Sequence, residues 1–181
     1  MFLICITHGD ARTVEPREAF RALTEQGRAD VEKAGARFLS ILPGLAPELD
    51  DGRITIDWIV SSPHARCIET VVLFADVIRR LTRTSEISVN SLLNEKKGGR
   101  LQGADLQTVA QERRGECFLL STHGDLAGAL PPSARLASPH DQGWFKGRPA
   151  YALIDYDRDT VWDDARVMKC EVLGWQDVLI P

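Results

Sequence analysis

The chain has 181 residues, 44% of them hydrophobic and 27% charged, an ordinary globular composition expected to form one domain over residues 1–181. The formal net charge of −4 excludes a general electrostatic footprint for nucleic acid or an anionic membrane, so any anion site must be local. No apolar run approaches the ~20 residues of a membrane span. Met1 leads straight into an apolar stretch with neither a basic region nor a cleavage site, so no secretory signal is expected.

In chain order, strands are expected at Phe2–Ile6, Asp57–Val60, Ile87–Val89 and Cys117–Leu120. Near-continuous apolar runs of this kind suit strands covered on both faces. Between the first two lies a helix over Leu23–Leu42, with Val31, Ala34, Phe38 and Leu42 on one face and Thr24 as N-cap. Pro43-Gly44 is expected to stop it, leaving a loop at Leu45–Gly52. A second helix is expected to open at Ser62-Pro63, with serine as cap and proline in the first turn, and to bury Ile68, Val71, Ala75 and Ile78. A more polar third helix covers Ala104–Arg114. After Gly124 the helical signal is short because Pro131-Pro132 breaks it. Ser133–Pro149 reads as an irregular excursion, with strand-like stretches at Tyr151–Leu153, near Val161 and at Val167–Leu173. The β-α-β-α order predicts an α/β fold, a three-layer doubly wound sheet that is mostly parallel. Cys5, Cys67, Cys117 and Cys170 lie far apart with no C-x-x-C pair, which reads as reduced core thiols in a cytoplasmic protein.

The tetrapeptide Thr-His-Gly-Asp occurs twice, at Thr7–Asp10 and Thr122–Asp125, and so holds two of the chain's four histidines. Each copy directly follows an expected strand. In open parallel sheets ligands bind beyond the carboxyl ends of the strands, so neighbouring strands would bring His8 and His123 to one rim. The glycines that follow, Gly9 and Gly124, let backbone approach closely there. A third piece is Ser61-Ser62-Pro63-His64-Ala65-Arg66-Cys67-Ile68-Glu69-Thr70, at the start of the second helix. Free N–H groups at a helix start favour an anion, and Arg66 adds a planar fork matched to phosphate or carboxylate oxygens. Two histidines beside an arginine make a phosphate site. A metallohydrolase using His8, His123 and Asp10 is the rival, and Arg66 would repel its cation.

With these pieces in hand the sequence resembles the histidine phosphatase superfamily, the phosphoglycerate-mutase-like group, and within it the small single-domain phosphatases. The resemblance rests on the strand-His-Gly start, Leu23-Thr24 with Gly27, the Ser-Ser-Pro-x-x-Arg-x-x-Glu-Thr element, Leu92-Leu93-Asn94-Glu95 and Ser121-Thr122-His123-Gly124. It implies a metal-independent phosphatase, needing no cofactor, that acts on a small phosphoester or a phosphorylated protein side chain. His8 would take the phosphoryl group as nucleophile. Arg66 and His123 would hold the equatorial oxygens, and Glu95 would protonate the leaving oxygen and then activate water. Thr7, Gly9, Arg12, Ser62 and Gly124 would line the substrate. Glu69 is expected to orient an arginine or to act structurally. The family's mutases carry larger insertions that enclose the substrate, for which this chain has little room.

One position departs from the family pattern. Arginine normally precedes the nucleophilic histidine, and here Thr7 does. Arg12, on the same loop, is the first candidate to return a guanidinium, with Lys96, Lys97 and Arg100 behind it. The alternative reading is a catalytically impaired relative that binds a phosphorylated ligand without turning it over. His140 and the pair Trp144-Phe145, inside the irregular excursion, read as surface loop or lid.

Overall fold

The computed structural model describes residues 1–13, 17–94, 101–132, 148–157 and 161–172. Among them, six strands form one mixed sheet: β1 (Phe2–Thr7), β2 (Trp58–Ser61), β3 (Ile87–Val89), β4 (Cys117–Thr122), β5 (Ala150–Asp155) and β6 (Arg166–Val172), in the order β3-β2-β4-β1-β5-β6. β1, β2, β3 and β4 are mutually parallel, and β5 runs against both β1 and β6. The sheet is thus mostly parallel, as expected, with its one reversed strand at β5.

Successive side chains of a strand point to opposite faces, and the core divides accordingly. Phe2, Ile4 and Ile6 of β1 join Val31, Phe38 and Leu42 of α1 (Glu25–Leu45) in one cluster. Val71 and Phe74 of α3 (Ala65–Val77) belong to the same layer. Leu3 and Cys5 face the other way, toward Leu106 and Val109 of α4 (Gly103–Gln111) and toward Leu126 of the short α5 (Leu126–Ala129). Phe38 anchors the first layer, 5.7 Å from Phe74 and 5.4 Å from Tyr151 between ring centroids. Aromatic pairs at such spacing add about 1 kcal/mol each beyond area burial. All four cysteines are buried free thiols, and burial pushes Cys5 and Cys170 up to about 12, so these two act as packing groups. Among the described residues no helix is long and apolar enough to cross a membrane.

Several boundaries differ from expectation. Pro43-Gly44 does not end α1, which continues to Leu45. Pro43 leaves Leu39 O without its helical N–H donor, a loss the packed helix tolerates in its last turn, and the helix stops instead at Ala46, whose backbone leaves the helical region (φ −142°, ψ 73°) before Pro47. Pro47–Asp50 is a single helical turn, α2, in place of a loop. α3 begins at Ala65, later than Ser62-Pro63 suggested. The cause is the sheet: Ser62 N–H donates to Ser121 O at 2.9 Å, which keeps residue 62 extended. The side chains α3 buries are Arg66, Cys67, Thr70, Val71 and Phe74, while Ile68 and Ala75 are only half-buried. α4 ends at Gln111, three residues short of Arg114. Val161 lies in a loop before a 3-10 turn at Trp162–Asp164, and it is exposed rather than in a strand.

Candidate active site

Register decides where the two Thr-His-Gly-Asp copies go. β1 and β4 are neighbours, with Thr7 opposite Thr122, and His8 N–H extends the ladder to Thr122 O at 3.2 Å. His8 and His123 therefore leave the sheet side by side at the carboxyl end of parallel strands, with ring centroids 5.5 Å apart and nearly perpendicular. β2 adjoins β4 on its other side, which delivers Ser62 and the start of α3 to the same rim.

Arg66 is almost fully buried, at 2% exposure, and it bridges the two rings. Its Nε donates to His8 Nε2 at 3.1 Å, and its Nη2 lies 3.2 Å from His123 Nδ1. Guanidinium has donors only, so both of those imidazole nitrogens must present lone pairs. His8 Nδ1 then carries the proton and donates it to Gly9 O at 2.7 Å. His123 Nε2 carries the other proton, 2.8 Å from Ser62 Oγ, and that hydroxyl passes its own hydrogen to Asn94 Oδ1 at 3.4 Å. One buried arginine thus sets both tautomers. Burial lowers His8 to about 4, against the Gly9 hydrogen bond, with the charges of Arg66, Arg21 and His64 adding to the effect. Burial lowers His123 to about 2, helped by His8, Arg66 and His64. Both are neutral at physiological pH, the form needed for a nucleophile and for acceptors of arginine N–H groups.

These shifts set a stability profile. The unfolded chain takes up protons near the ordinary histidine value of about 6.5, while the folded one binds them only near the lowered values. Between about 6.5 and 4 the unfolded state holds more protons, so stability falls as pH is lowered through that window. Thermal melts from about pH 7 to about pH 4.5 are expected to show a decline in Tm that is shallower in His123→Gln. Parallel profiles for the two proteins would rule out His123 as a source of the decline.

The loop after β1 is clamped to the start of α1. A Cβ on Gly9 would lie 2.6 Å from Gly27 O, and one on Gly27 would collide with Asp10 O, so backbone meets backbone there. Thr24 caps the helix by accepting from Gly27 N–H at 2.9 Å, and its own hydroxyl reaches Asp10 Oδ2 at 3.1 Å. Asp10 thereby ties the loop after β1 to the N-cap of α1. In the second copy Asp125 accepts Leu101 N–H at 2.7 Å. Each aspartate ties its histidine's loop to the approach of a helix. Glu69 is structural, as expected: it accepts Leu23 N–H at 2.5 Å and Arg28 Nη2 at 2.7 Å.

Of the expected residues, then, His8, Arg66, His123 and Ser62 converge, with Gly9 against His8 and Gly124 in the turn after His123. Thr7 and Arg12 do not join them. Thr7 is fully buried and its hydroxyl accepts Ala150 N–H at 2.9 Å, which makes it part of the β1–β5 seam. Arg12 is exposed, and among the described residues its side chain makes no hydrogen bond or ion pair. Glu95, Lys96, Lys97, Arg100, His140, Trp144 and Phe145 lie outside the described residues. One residue was missed, and two that the quoted sequence elements already contain stand closer to the site than expected. Arg21 is half-buried, its Nε is fixed on Arg12 O at 2.6 Å, and its charge acts on His8. Asn94 receives the Ser62 hydroxyl. His64 sets its ring against His123 at 4.9 Å. Arg21 shares a segment with the family-like Leu23-Thr24, the one signal that pointed to it.

This sheet order with a buried arginine between two histidines at the strand ends defines a phosphoglycerate-mutase-like fold. Solved structures agree. The protein histidine phosphatase SixA complexed with tungstate superposes with a TM-score of 0.64 at 21% identity, covering 95% of this chain and 97% of that one. A protein assigned as the phosphohistidine phosphatase SixA of Agrobacterium tumefaciens gives 0.56 at 19%, over 96% and 98%. A mutant of the phosphoserine phosphatase of Entamoeba histolytica, in complex with phosphoserine, gives 0.56 at 11%, over 93% and 95%. No protein-family model matches the sequence, and no curated protein matches it either.

Proposed function

We propose that residues 1–181 form one cytoplasmic domain acting as a metal-independent phosphatase, through a phosphohistidine at His8. The observation that carries this reading is the Arg66 fork, 3.1 Å from His8 Nε2 and 3.2 Å from His123 Nδ1. Where an arginine pairs with two neutral acceptors, an anion with two oxygens makes a better partner. An entering phosphoryl group would draw the fork onto its oxygens and uncap His8 Nε2. That lone pair attacks phosphorus, the bond to the leaving oxygen breaks, and the leaving oxygen takes a proton. Water then attacks phosphorus as its proton passes to a base, the P–N bond breaks with its electron pair returning to His8 Nε2, and phosphate is released. His123 and Ser62 brace the oxygens. The family pattern assigns the leaving-group proton and the activation of water to Glu95. The substrate is a small phosphomonoester or a phosphorylated protein side chain. The fold neighbours named as protein histidine and phosphoserine phosphatases support both classes. The test is hydrolysis of p-nitrophenyl phosphate, phosphoserine and a phosphohistidine protein with chelator present. Turnover of none of them would favour the second reading, an impaired relative that only binds phosphorylated ligands.

That second reading draws on Thr7, whose hydroxyl is spent on β5. We assign the missing positive charge to Arg21 rather than Arg12. Arg12 N–H is bonded to Ala22 O at 2.9 Å, and Arg12 O in turn holds Arg21 Nε, so the two segments brace each other beside His8. Arg21→Ala is expected to lower kcat/KM at least tenfold, about 1.4 kcal/mol of transition-state binding, with Arg12→Ala within threefold of wild type. Steady-state kinetics with p-nitrophenyl phosphate decide it. A larger loss in Arg12→Ala would reverse the assignment.

A further inference from the structure

Phosphoryl transfer to His8 leaves a proton to be delivered to the departing oxygen, and most groups around the site are excluded from delivering it. His8 attacks through Nε2 and keeps its remaining proton on Gly9 O. His123 is held neutral, one nitrogen facing Arg66 and the other Ser62. Arg66 does not deprotonate in a protein. Among the described carboxylates, Asp10 holds the Thr24 hydroxyl and Glu69 holds Leu23 N–H and Arg28, while Asp125 holds Leu101 N–H through Oδ2 and keeps Oδ1 buried.

His64 stands directly before α3, two residues from Arg66. Its carbonyl accepts Cys67 N–H at 2.9 Å and Ile68 N–H at 3.1 Å, which locks its backbone as the N-cap. Its side chain does not cap the helix. The ring stands instead edge-on to His123, at 4.9 Å and 83°. It is half-buried, with Nδ1 enclosed and part of the ring still open to solvent, from which a spent acid must be recharged.

We infer that His64 is the catalytic acid that protonates the leaving oxygen. The inference rests on the phosphatase reading and moves one role from Glu95 to His64, leaving Glu95 the activation of water. The proton passes from the His64 imidazolium to the leaving oxygen as the P–O bond breaks, and the neutral ring recovers a proton from solvent. The setting suits a donor. An arriving phosphoryl dianion favours the imidazolium until bond cleavage consumes the charge. Imidazole is also the side chain whose ordinary pKa lies in the range where general acids work best.

The experiment compares an alkyl ester, phosphoserine, with p-nitrophenyl phosphate, whose leaving group departs without help. In His64→Gln, kcat for phosphoserine is expected to drop about 100-fold while p-nitrophenyl phosphate stays within threefold. In His64→Gly, added imidazole should restore part of the phosphoserine activity and leave the aryl ester unaffected, a response that a merely structural role would not produce. Glu95→Gln should slow breakdown of the phosphoenzyme, to the same degree for both esters. Equal losses for both esters in His64→Gln, no loss for either, or failure of imidazole to rescue would each overturn the assignment. Leaving-group dependence appearing in Glu95→Gln instead would return the role to Glu95. A wild type that hydrolyses neither ester nor a phosphohistidine protein would overturn the phosphatase reading, and one that hydrolyses only the phosphohistidine protein would overturn this inference alone.

Discussion

His8→Ala is expected to abolish turnover, lowering kcat/KM by roughly 10⁴-fold or more, as loss of a covalent nucleophile does elsewhere. The structure explains why no neighbour can step in. His123 has its lone pair on Arg66 and its N–H on Ser62, and it sits buried at 1% exposure. His8 is half-buried, with its reactive nitrogen under the Arg66 fork. Rapid-quench mass spectrometry of the wild type should find phosphorus on His8, labile in acid and stable in base. The variant should carry none and should still melt cooperatively, because alanine leaves the β1–β4 ladder and the Gly9–Gly27 contact intact. An active His8→Ala enzyme with no adduct in the wild type would remove the nucleophile assignment. The activity should also persist toward acid. With His8 lowered to about 4, the nucleophile stays neutral well below the usual histidine range, and the acid limb of kcat/KM should follow that value.

Arg66→Lys should cost nearly as much, about 10³-fold in kcat, although it keeps the charge. Removing one preorganised donor to a developing oxyanion costs up to about 4 kcal/mol, and lysine cannot reach two oxygens with a planar fork. The loss should fall on kcat more than on KM, since the fork is drawn fully onto the oxygens only as charge spreads in the transition state. Arg66→Lys should also lower Tm, because His8 Nε2 and His123 Nδ1 would share a single flexible donor in a buried site. A variant within threefold of wild-type kcat would mean that Arg66 organises the empty site without touching the reaction.

The fold was legible because its signals are local. A strand covered on both faces needs an apolar run, and Phe2–Thr7 and Cys117–Thr122 contain such runs whatever lies beside them. The α1 stripe of Val31, Ala34, Phe38 and Leu42 follows helical periodicity alone, and all four residues are buried. Boundaries were less legible where a distant partner set them, as when Ser121 O held Ser62 in the sheet and pushed the start of α3 to Ala65.

By itself, then, the sequence determined the strand-and-helix order and the residue types at the two strand ends and at the start of α3, His8, His123 and Arg66 among them. Tertiary structure alone decided their use. The Thr7–Thr122 register set the rings side by side, and the Ala150 N–H claimed Thr7 for β5. Pairing of the loops after β1 and before α1 fixed Arg21 Nε on Arg12 O and brought its charge within electrostatic reach of His8. The physical reason is range. Periodicity and turn chemistry act over a few residues, whereas Arg66 meets His8 across 58 positions and Thr7 meets Ala150 across 143. Nothing in either residue's own neighbourhood encodes its partner; packing of the whole sheet does.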